Sequence, residues 1–197
     1  SYAALLTMYV IHLIILAIMG INPIRYVKKT LEVLIFAFTS RSSAGALPLN
    51  VQTQTQRLGV PEGIANFSAS FGLSIGQNGC AGIYPAMLAI MVAPVAHVDI
   101  DIPFILTLIA VVVISSFGVA GVGGGATFAS ILVLSTLNLP VALAGVLISI
   151  EPIIDMGRTA LNVNDSILAG TGTARLTGNL DKEKFNSNHY GELSTES

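Results

Sequence analysis

Near the end of the chain, Asp155, Arg158, Thr159 and Asn162 fall at i, i+3, i+4 and i+7, a spacing that stacks four polar side chains on one helix face. Ser166, at i+11, continues the stripe. A carboxylate suits an ammonium, a guanidinium fork suits a carboxylate, and an amide and a hydroxyl fix orientation. The face therefore matches a zwitterion. The plainer alternative is an Asp155–Arg158 pair that neutralises itself, but four different polar groups exceed what neutralisation requires.

The surroundings of the stripe are apolar. No Lys or Arg occurs between Arg57 and Arg158, and an isolated charge at a bilayer centre costs at least ~2.5–3.5 kcal/mol, so Arg158 needs partners. The 197 residues hold 9 basic and 11 acidic side chains, 10% charged, against roughly 25% in an ordinary soluble domain. That excludes a soluble globule, and a formal charge of −2 offers no general basic face, so no nucleic-acid partner is expected. A single cysteine, Cys80, excludes a disulfide framework and a Cys-based zinc site, and no cofactor is expected. The composition is that of an all-α membrane protein whose partner is the bilayer.

Residues 1–22 read as a first transmembrane helix, without the charged start and cleavage site of a signal peptide. A chain that opens at the lip of a span is expected to be the C-terminal part of something longer. Asn22-Pro23 stops that helix, and residues 23–59 read as a re-entrant hairpin: a short apolar helix over 31–39, a small polar tip over 40–46, and a polar return. Residues 60–96 form a long helix interrupted at Gly76-Gln77-Asn78-Gly79. Residues 103–140 read as a second hairpin, its tip loaded with Gly118, Gly121, Gly123, Gly124 and Gly125. Residues 141–176 are the last helix, and 177–197 a polar, disordered tail. Hairpin, interrupted helix, hairpin, polar helix is the order of an inverted-repeat secondary transporter.

The charges agree with opposed hairpins. Arg25, Lys28, Lys29 and Arg57 flank the first, and Arg175, Lys182 and Lys184 follow the last helix, whereas the loop before the second hairpin has no basic residue. The positive-inside rule puts the first hairpin and the C-terminus on the cytoplasmic side and the second hairpin outside. Backbone N–H groups freed at the tips, Ser42 and Ser43 to Gly45 and Val122, Gly123 and Gly124 to Gly125, attract carboxylates, and the glycine tip is suited to act as a lid. Unwinding at Gly76–Gly79 exposes carbonyls that suit a hard cation such as Na+.

A different class matches one motif. Gly121, Gly123 and Ala126 formally fit G-x-G-x-x-A of a dinucleotide-binding enzyme, but no acidic residue lies about 20 positions on. Among other polar residues, Glu151 lies one turn before Asp155 and helps hold the helix or is buried and protonated. His12 reads as a packing contact, Asp99 and Asp101 as solvated loop, and Cys80 as a small residue at the helix break, within reach of the stripe.

Arg41-Ser-Ser-Ala-Gly-Ala-Leu-Pro48, Gly118-Val-Ala-Gly-Val122 and, above all, Asp155-Met-Gly-Arg-Thr-Ala-Leu-Asn-Val163 resemble the dicarboxylate/amino acid:cation symporters, the glutamate-type transporters, over residues 2–170. Within that family, Gly76-Gln-Asn-Gly-Cys-Ala-Gly82 and Val122-Gly-Gly-Gly-Ala126 are most similar to bacterial L-cystine uptake transporters. The resemblance implies the transport-domain half of the fold, a homotrimer and an elevator motion against a scaffold built by earlier helices. It implies import of L-cystine, or alternatively of an acidic amino acid or C4-dicarboxylate, in symport with Na+ or H+. Asp155 would bind the substrate amino group, Arg158 a distal carboxylate, and Asn162 with Ser43 the α-carboxylate. Ser42, Thr159 and the 122–124 backbone would complete the pocket, and the second hairpin would be the extracellular gate.

For the ion, the resemblance implies Gly72, Ser74, Gly76, Gln77, Asn78, Ser116, Phe117, Val119, Asn162 and Ser166. Two of these depart from the glutamate-type pattern, since Asn78 and Ser166 stand where that pattern has Asp. Asp165 is displaced by one residue, about 100° around the helix, and is expected to point away from the stripe. Fewer Na+ are therefore expected, with Glu151 and Asp155 as the available proton carriers and Asp165 a poorer third.

Overall fold

The computed structural model describes residues 1–119, 124–142, 145 and 150–188, and every regular element among them is helical. Helix α1, Tyr2–Ile18, has 17 residues. It is shorter than the helix expected over 1–22, because the chain turns at Met19 and Gly20, where Gly20 has φ of +71°. Helix α2, Pro23–Ser40, is opened by Asn22, whose side chain accepts the Arg25 N–H, and by Pro23 at the first turn. Its 18 residues exceed the short run expected over 31–39, since the basic stretch is helical too. Arg41 ends it with φ of 54°. After a turn through 42–46, helix α3, Leu47–Gln52, runs straight into a π-helical turn, Thr53–Arg57.

Helix α4, Glu62–Ile75, stops at Gly76. Only Gly76 and Gln77 leave helical geometry, after which a π-helical turn, Asn78–Ile83, leads into helix α5, Tyr84–Val95. The break is where the sequence puts it, but narrower. The stretch Glu62–Val95 is the one among the described residues long and apolar enough to cross a membrane, and α1 and the two helices that follow α5 are shorter apolar helices. Helix α6, Ile102–Ser116, is capped by Asp101, whose carboxylate accepts the Phe104 N–H at 2.8 Å, so Asp101 is a helix cap rather than free loop. Helix α7 is Gly125–Thr136 and helix α8 Glu151–Leu176. Part of the second tip and of the approach to α8, including 146–149, lies outside the described residues.

Helix α8 is the axis of the fold, with 15 of its 26 residues buried. Polar groups on it must find partners inside the protein. One apolar cluster joins α1, α2 and α8 through Leu16, Tyr26, Val33, Val163 and Ile167. A second joins α5, α6 and α7 through Leu88, Val92, Leu108, Val133 and Leu134. The interrupted helix rides directly on α8 because glycines face it. A Cβ on Gly72 would lie 2.5 Å from Ser166 Cβ, and one on Gly79 2.8 Å from the Arg158 carbonyl oxygen. The outer faces stay apolar: Leu6, Val10, Ile14 and Ile18 of α1 and Leu106, Ile109 and Val113 of α6 are all exposed.

The segment after α8 departs from the expectation of disorder. Residues 177–188 fold back, and a short helix α9, Lys182–Asn186, docks on the first helix pair. The Asp181 N–H donates to Gly59 O at 2.9 Å. The buried Lys29 ammonium donates to Arg57 O and Lys184 O, each at 2.7 Å. Arg25 donates to Asn186 O, and Phe185 is buried. An apolar anchor and a lysine that needs carbonyls to replace its water are what order this polar stretch.

Candidate functional site

Asp155, Arg158, Thr159 and Asn162 are all buried on α8, as their spacing predicts. Arg158 Nη2 donates to Asp155 Oδ1 and Glu151 Oε1, each at 3.2 Å. Glu151 Oε2 in turn accepts the Thr127 hydroxyl of α7, and Asp155 Oδ2 accepts from Arg41 Nε at 3.1 Å. The Arg158 guanidinium lies 4.1 Å over the Tyr84 ring, a cation–π contact in a water-poor setting. A chain of charges thus runs from the second helix pair through α8 to the tip of the first. Two arginines face two carboxylates.

The chain is not closed. Arg158 Nε and Nη1 are buried without a hydrogen-bond partner among the described residues, and each such donor costs about 1–3 kcal/mol. A guanidinium engaged through Nη2 alone, with donors left on Nε and Nη1, is arranged to receive an anion. Self-neutralisation would need only Nη2, which already faces Asp155 and Glu151.

Asn162 ties the stripe to the break. Its Oδ1 accepts the Gly79 N–H at 2.7 Å, and its Nδ2 lies 2.9 Å from Gln77 Oε1 and 3.1 Å from Cys80 Sγ. Gln77 Nε2 donates to Gly72 O at 2.9 Å, which caps the end of α4, and Ser43 Oγ lies 3.5 Å from Gln77 Oε1. Cys80 Sγ sits 4.0 Å from Asp155 Oδ1. Ser43, Gln77, Asn162, Asp155 and Arg158 therefore form one connected polar centre. Ser42 serves the tip itself, its hydroxyl accepting the Gly45 N–H at 2.9 Å. Thr159 is buried beside Arg158, and Gly124 is exposed with φ of 86°. Val122 and Gly123 lie outside the described residues.

The residues considered for the ion separate into groups. Gly76, Gln77, Asn78 and Ser116 line one cavity of about 340 Å³ beside the break, together with Asp165. Ser166 is elsewhere, donating to Val163 O at 2.8 Å and accepting from Asn50 Nδ2 at 2.7 Å against the close approach of Gly72. The Ser74 and Phe117 side chains are exposed, and Val119 is buried. Glu151 and Asp155, expected as free proton carriers, are both engaged with Arg158. Asp165 does point away from the stripe, but into this cavity rather than into nothing.

Sequence reasoning missed Arg41, Thr127 and Tyr84 as members of the centre. Arg41 carried a signal, as the one basic residue between Lys29 and Arg57. Tyr84 and Thr127 meet Arg158 and Glu151 only through the packing of α5 and α7, which no local spacing encodes.

Comparison with known proteins now bears on this geometry. The chain is similar to proteins named L-cystine uptake protein TcyP: 71% identical over 186 residues in Shouchella clausii, 67% over 186 in Bacillus licheniformis and 64% over 187 in Bacillus anthracis. Each match covers 94% of this chain and 40% of the relative, so the chain spans about two fifths of the length of the curated relatives it matches. The model of the sodium:dicarboxylate symporter family matches residues 1–176. This helical chain, with its buried Asp155–Arg158 stripe packed on a broken helix, belongs to the sodium:dicarboxylate symporter family.

Proposed function

We propose that this chain is the substrate- and ion-binding part of a plasma-membrane symporter that imports L-cystine with a cation. The observation that carries the reading is Arg158, buried with its Nε and Nη1 without partners among the described residues while its Nη2 is held by Asp155 and Glu151. The substrate's distal carboxylate takes those donors. Its ammonium takes Asp155, displacing Arg41, so binding exchanges one cationic partner for another on the same carboxylate. Its α-carboxylate is received by Asn162 and Ser43, and Asn162 gives up a contact to Gln77 or Cys80 to do so. Thr159, Ser42 and the 122–124 backbone complete the pocket. The names of the relatives support cystine as the substrate.

The same reading takes residues 23–59 and 103–140 as re-entrant hairpins of an inverted repeat, each followed by a helix that carries part of the site, 60–96 and 141–176. The helix pairs α2–α3 and α6–α7 support it. Residues 1–22 form the preceding span, and the 177–197 segment lies on the cytoplasmic side with the basic ends of the first hairpin. The second hairpin is the gate, and the Thr127–Glu151 contact is its latch onto α8. The exposed apolar faces of α1 and α6 meet lipid or the scaffold of a homotrimer, against which the unit moves as an elevator. The coupling ion, Na+ or H+, binds near the break.

The test is uptake of labelled cystine, glutamate and succinate by the full-length protein in proteoliposomes. Saturable cystine uptake is the expected result. Saturable succinate uptake without cystine uptake would overturn the substrate.

A further inference from the structure

The turn after α1, the start of α2, the end of α8 and the docked segment 177–188 meet around a cavity of about 190 Å³ that the substrate reading does not use. Asn22, Arg175, Lys182 and Asn186 line it with polar groups, and among the described residues no acidic side chain does. Arg175 donates through Nε to Met19 O at 3.1 Å, which sets its guanidinium beside Gly20, where a Cβ would lie 3.2 Å from Nη2. Its Nη1 and Nη2 carry no hydrogen bond among the described residues. Asn186 Oδ1 accepts from Arg25 Nη1 at 3.0 Å, and Asn22 Oδ1 accepts the Arg25 N–H at 3.1 Å. With both amide oxygens engaged, the Nδ2 of each side chain is the donor left over.

The charges around the cavity are uncompensated. Arg25, Arg175 and Lys182 form no ion pair among the described residues. Of the two acidic neighbours of Lys182 in sequence, Asp181 caps the Lys184 N–H at 2.9 Å, and Glu183 does not line the cavity. A guanidinium fork, an ammonium and two amide donors select an anion with several oxygens, and a tetrahedral phosphate offers more of them than a carboxylate. The rim adds a second requirement. Ile18, Ile24 and Leu176 are 81%, 70% and 75% exposed, and each lies within two positions of a lining residue. Apolar side chains beside a basic pocket suit a phosphate carried on acyl chains better than one free in water.

We propose that this cavity is a site for a phosphate group, supplied by the headgroup of an anionic phospholipid in the leaflet around this end of the helices. The headgroup clips the turn after α1, the last turn of α8 and α9 to one another, and so adds to the Lys29 contacts that dock the segment. The site rests neither on cystine nor on the coupling ion. Only the choice of leaflet, the cytoplasmic one, rests on the orientation proposed above.

The experiment uses the full-length protein in neutral detergent and phosphate-free buffer, titrated separately with phosphatidylglycerol, phosphatidylcholine and inorganic phosphate. The readouts are melting temperature and amide exchange across 178–187. Phosphatidylglycerol should raise the first and slow the second, and phosphatidylcholine should do less, because its own cation meets Arg175 and Lys182. Arg175→Gln should raise the half-saturating phosphatidylglycerol concentration roughly fivefold or more. Lys182→Gln, on an exposed side chain, should act in the same direction, and it decides the matter if Arg175→Gln does not fold. Lys28→Gln removes an exposed cation of α2 that does not line the cavity, and should leave that concentration unchanged. An equal loss in Lys28→Gln would overturn the site in favour of general surface charge. Equal effects of the two lipids, or no response to any of the three probes, would overturn it too. Arg175-dependent stabilisation by inorganic phosphate that phosphatidylglycerol does not exceed would keep the phosphate and overturn the lipid. None of these outcomes depends on cystine uptake, so the site and the substrate reading fail separately.

Discussion

Asn162 and Gly79 are joined across two helices by a single short hydrogen bond, the Gly79 N–H donating to Asn162 Oδ1 at 2.7 Å. The bond exists because the chain unwinds at Gly76 and Gln77 and presents Gly79 to the face of α8. It makes the polar stripe of α8 and the helix break one mechanical unit. Moving one moves the other.

Gly79→Ala tests that unit. A Cβ there would meet Arg158 O at 2.8 Å and Arg158 Cα at 3.0 Å, both backbone atoms that cannot step aside. The expected cost is about 1–3 kcal/mol, seen as a lower melting temperature of the full-length protein together with weaker substrate binding. Wild-type values for both would show that the π-helical turn and α8 have room to part.

Asp155→Asn removes the carboxylate that faces Arg158 and Arg41. Removing one partner of a buried ion pair costs about 3–5 kcal/mol, and in the proposed pocket the substrate ammonium would lose its counter-charge. Binding of cystine should fall at least on the order of a hundredfold by calorimetry, with assembly of the full-length protein intact by size-exclusion chromatography. Near-wild-type affinity would return Asp155 to a purely structural role.

Gly124→Val addresses the second tip. Gly124 has φ of 86°, and a Cβ placed on it meets nothing within 4 Å among the described residues. The obstacle is the backbone, because a β-branched residue resists the left-handed region. Transport should slow while the melting temperature changes little. An unchanged transport rate would take this tip out of gating.

Lys29→Met addresses the docked C-terminal segment. Methionine fills the space but cannot donate to Arg57 O and Lys184 O. Amide exchange across 178–187 should accelerate by an order of magnitude or more, equivalent to ~1.4 kcal/mol, while α8 stays protected. Equal protection in the variant would mean that Phe185 and the Gly59–Asp181 bond hold the segment unaided.

Much of this was legible in the residues. Asp155 to Asn162 sit at helical spacing in apolar sequence, so one buried face followed from periodicity, and Gly76-Gln77-Asn78-Gly79 announced the break. The ends of helices were less legible. Asn22 read as a helix stop and Asp101 as loop, yet both cap helices, so that α2 is longer than expected and α6 starts one residue before the expected hairpin. Asp165 was judged by its angle to the stripe, and that angle was correct. What it faced instead depended on α1 and α6, which lie at least 49 residues away in sequence. The order of the 177–188 segment was hidden for the same reason, since Phe185 and Lys184 meet partners that only the folded first helix pair supplies.

The Lys29–Lys184 contact joins positions 155 residues apart. At the ~5–20 residues per second of protein synthesis, Lys29 is made roughly 8–30 s before the carbonyl that will hold it. Through that interval the Lys29 ammonium has the Arg57 carbonyl but not the Lys184 one, so this end of the first helix pair is completed only after the rest of the chain is made. The clasp is therefore a maturation step. It closes only on a chain translated through its last helix, so a product arrested before residue 184 would leave Lys29 without the Lys184 carbonyl.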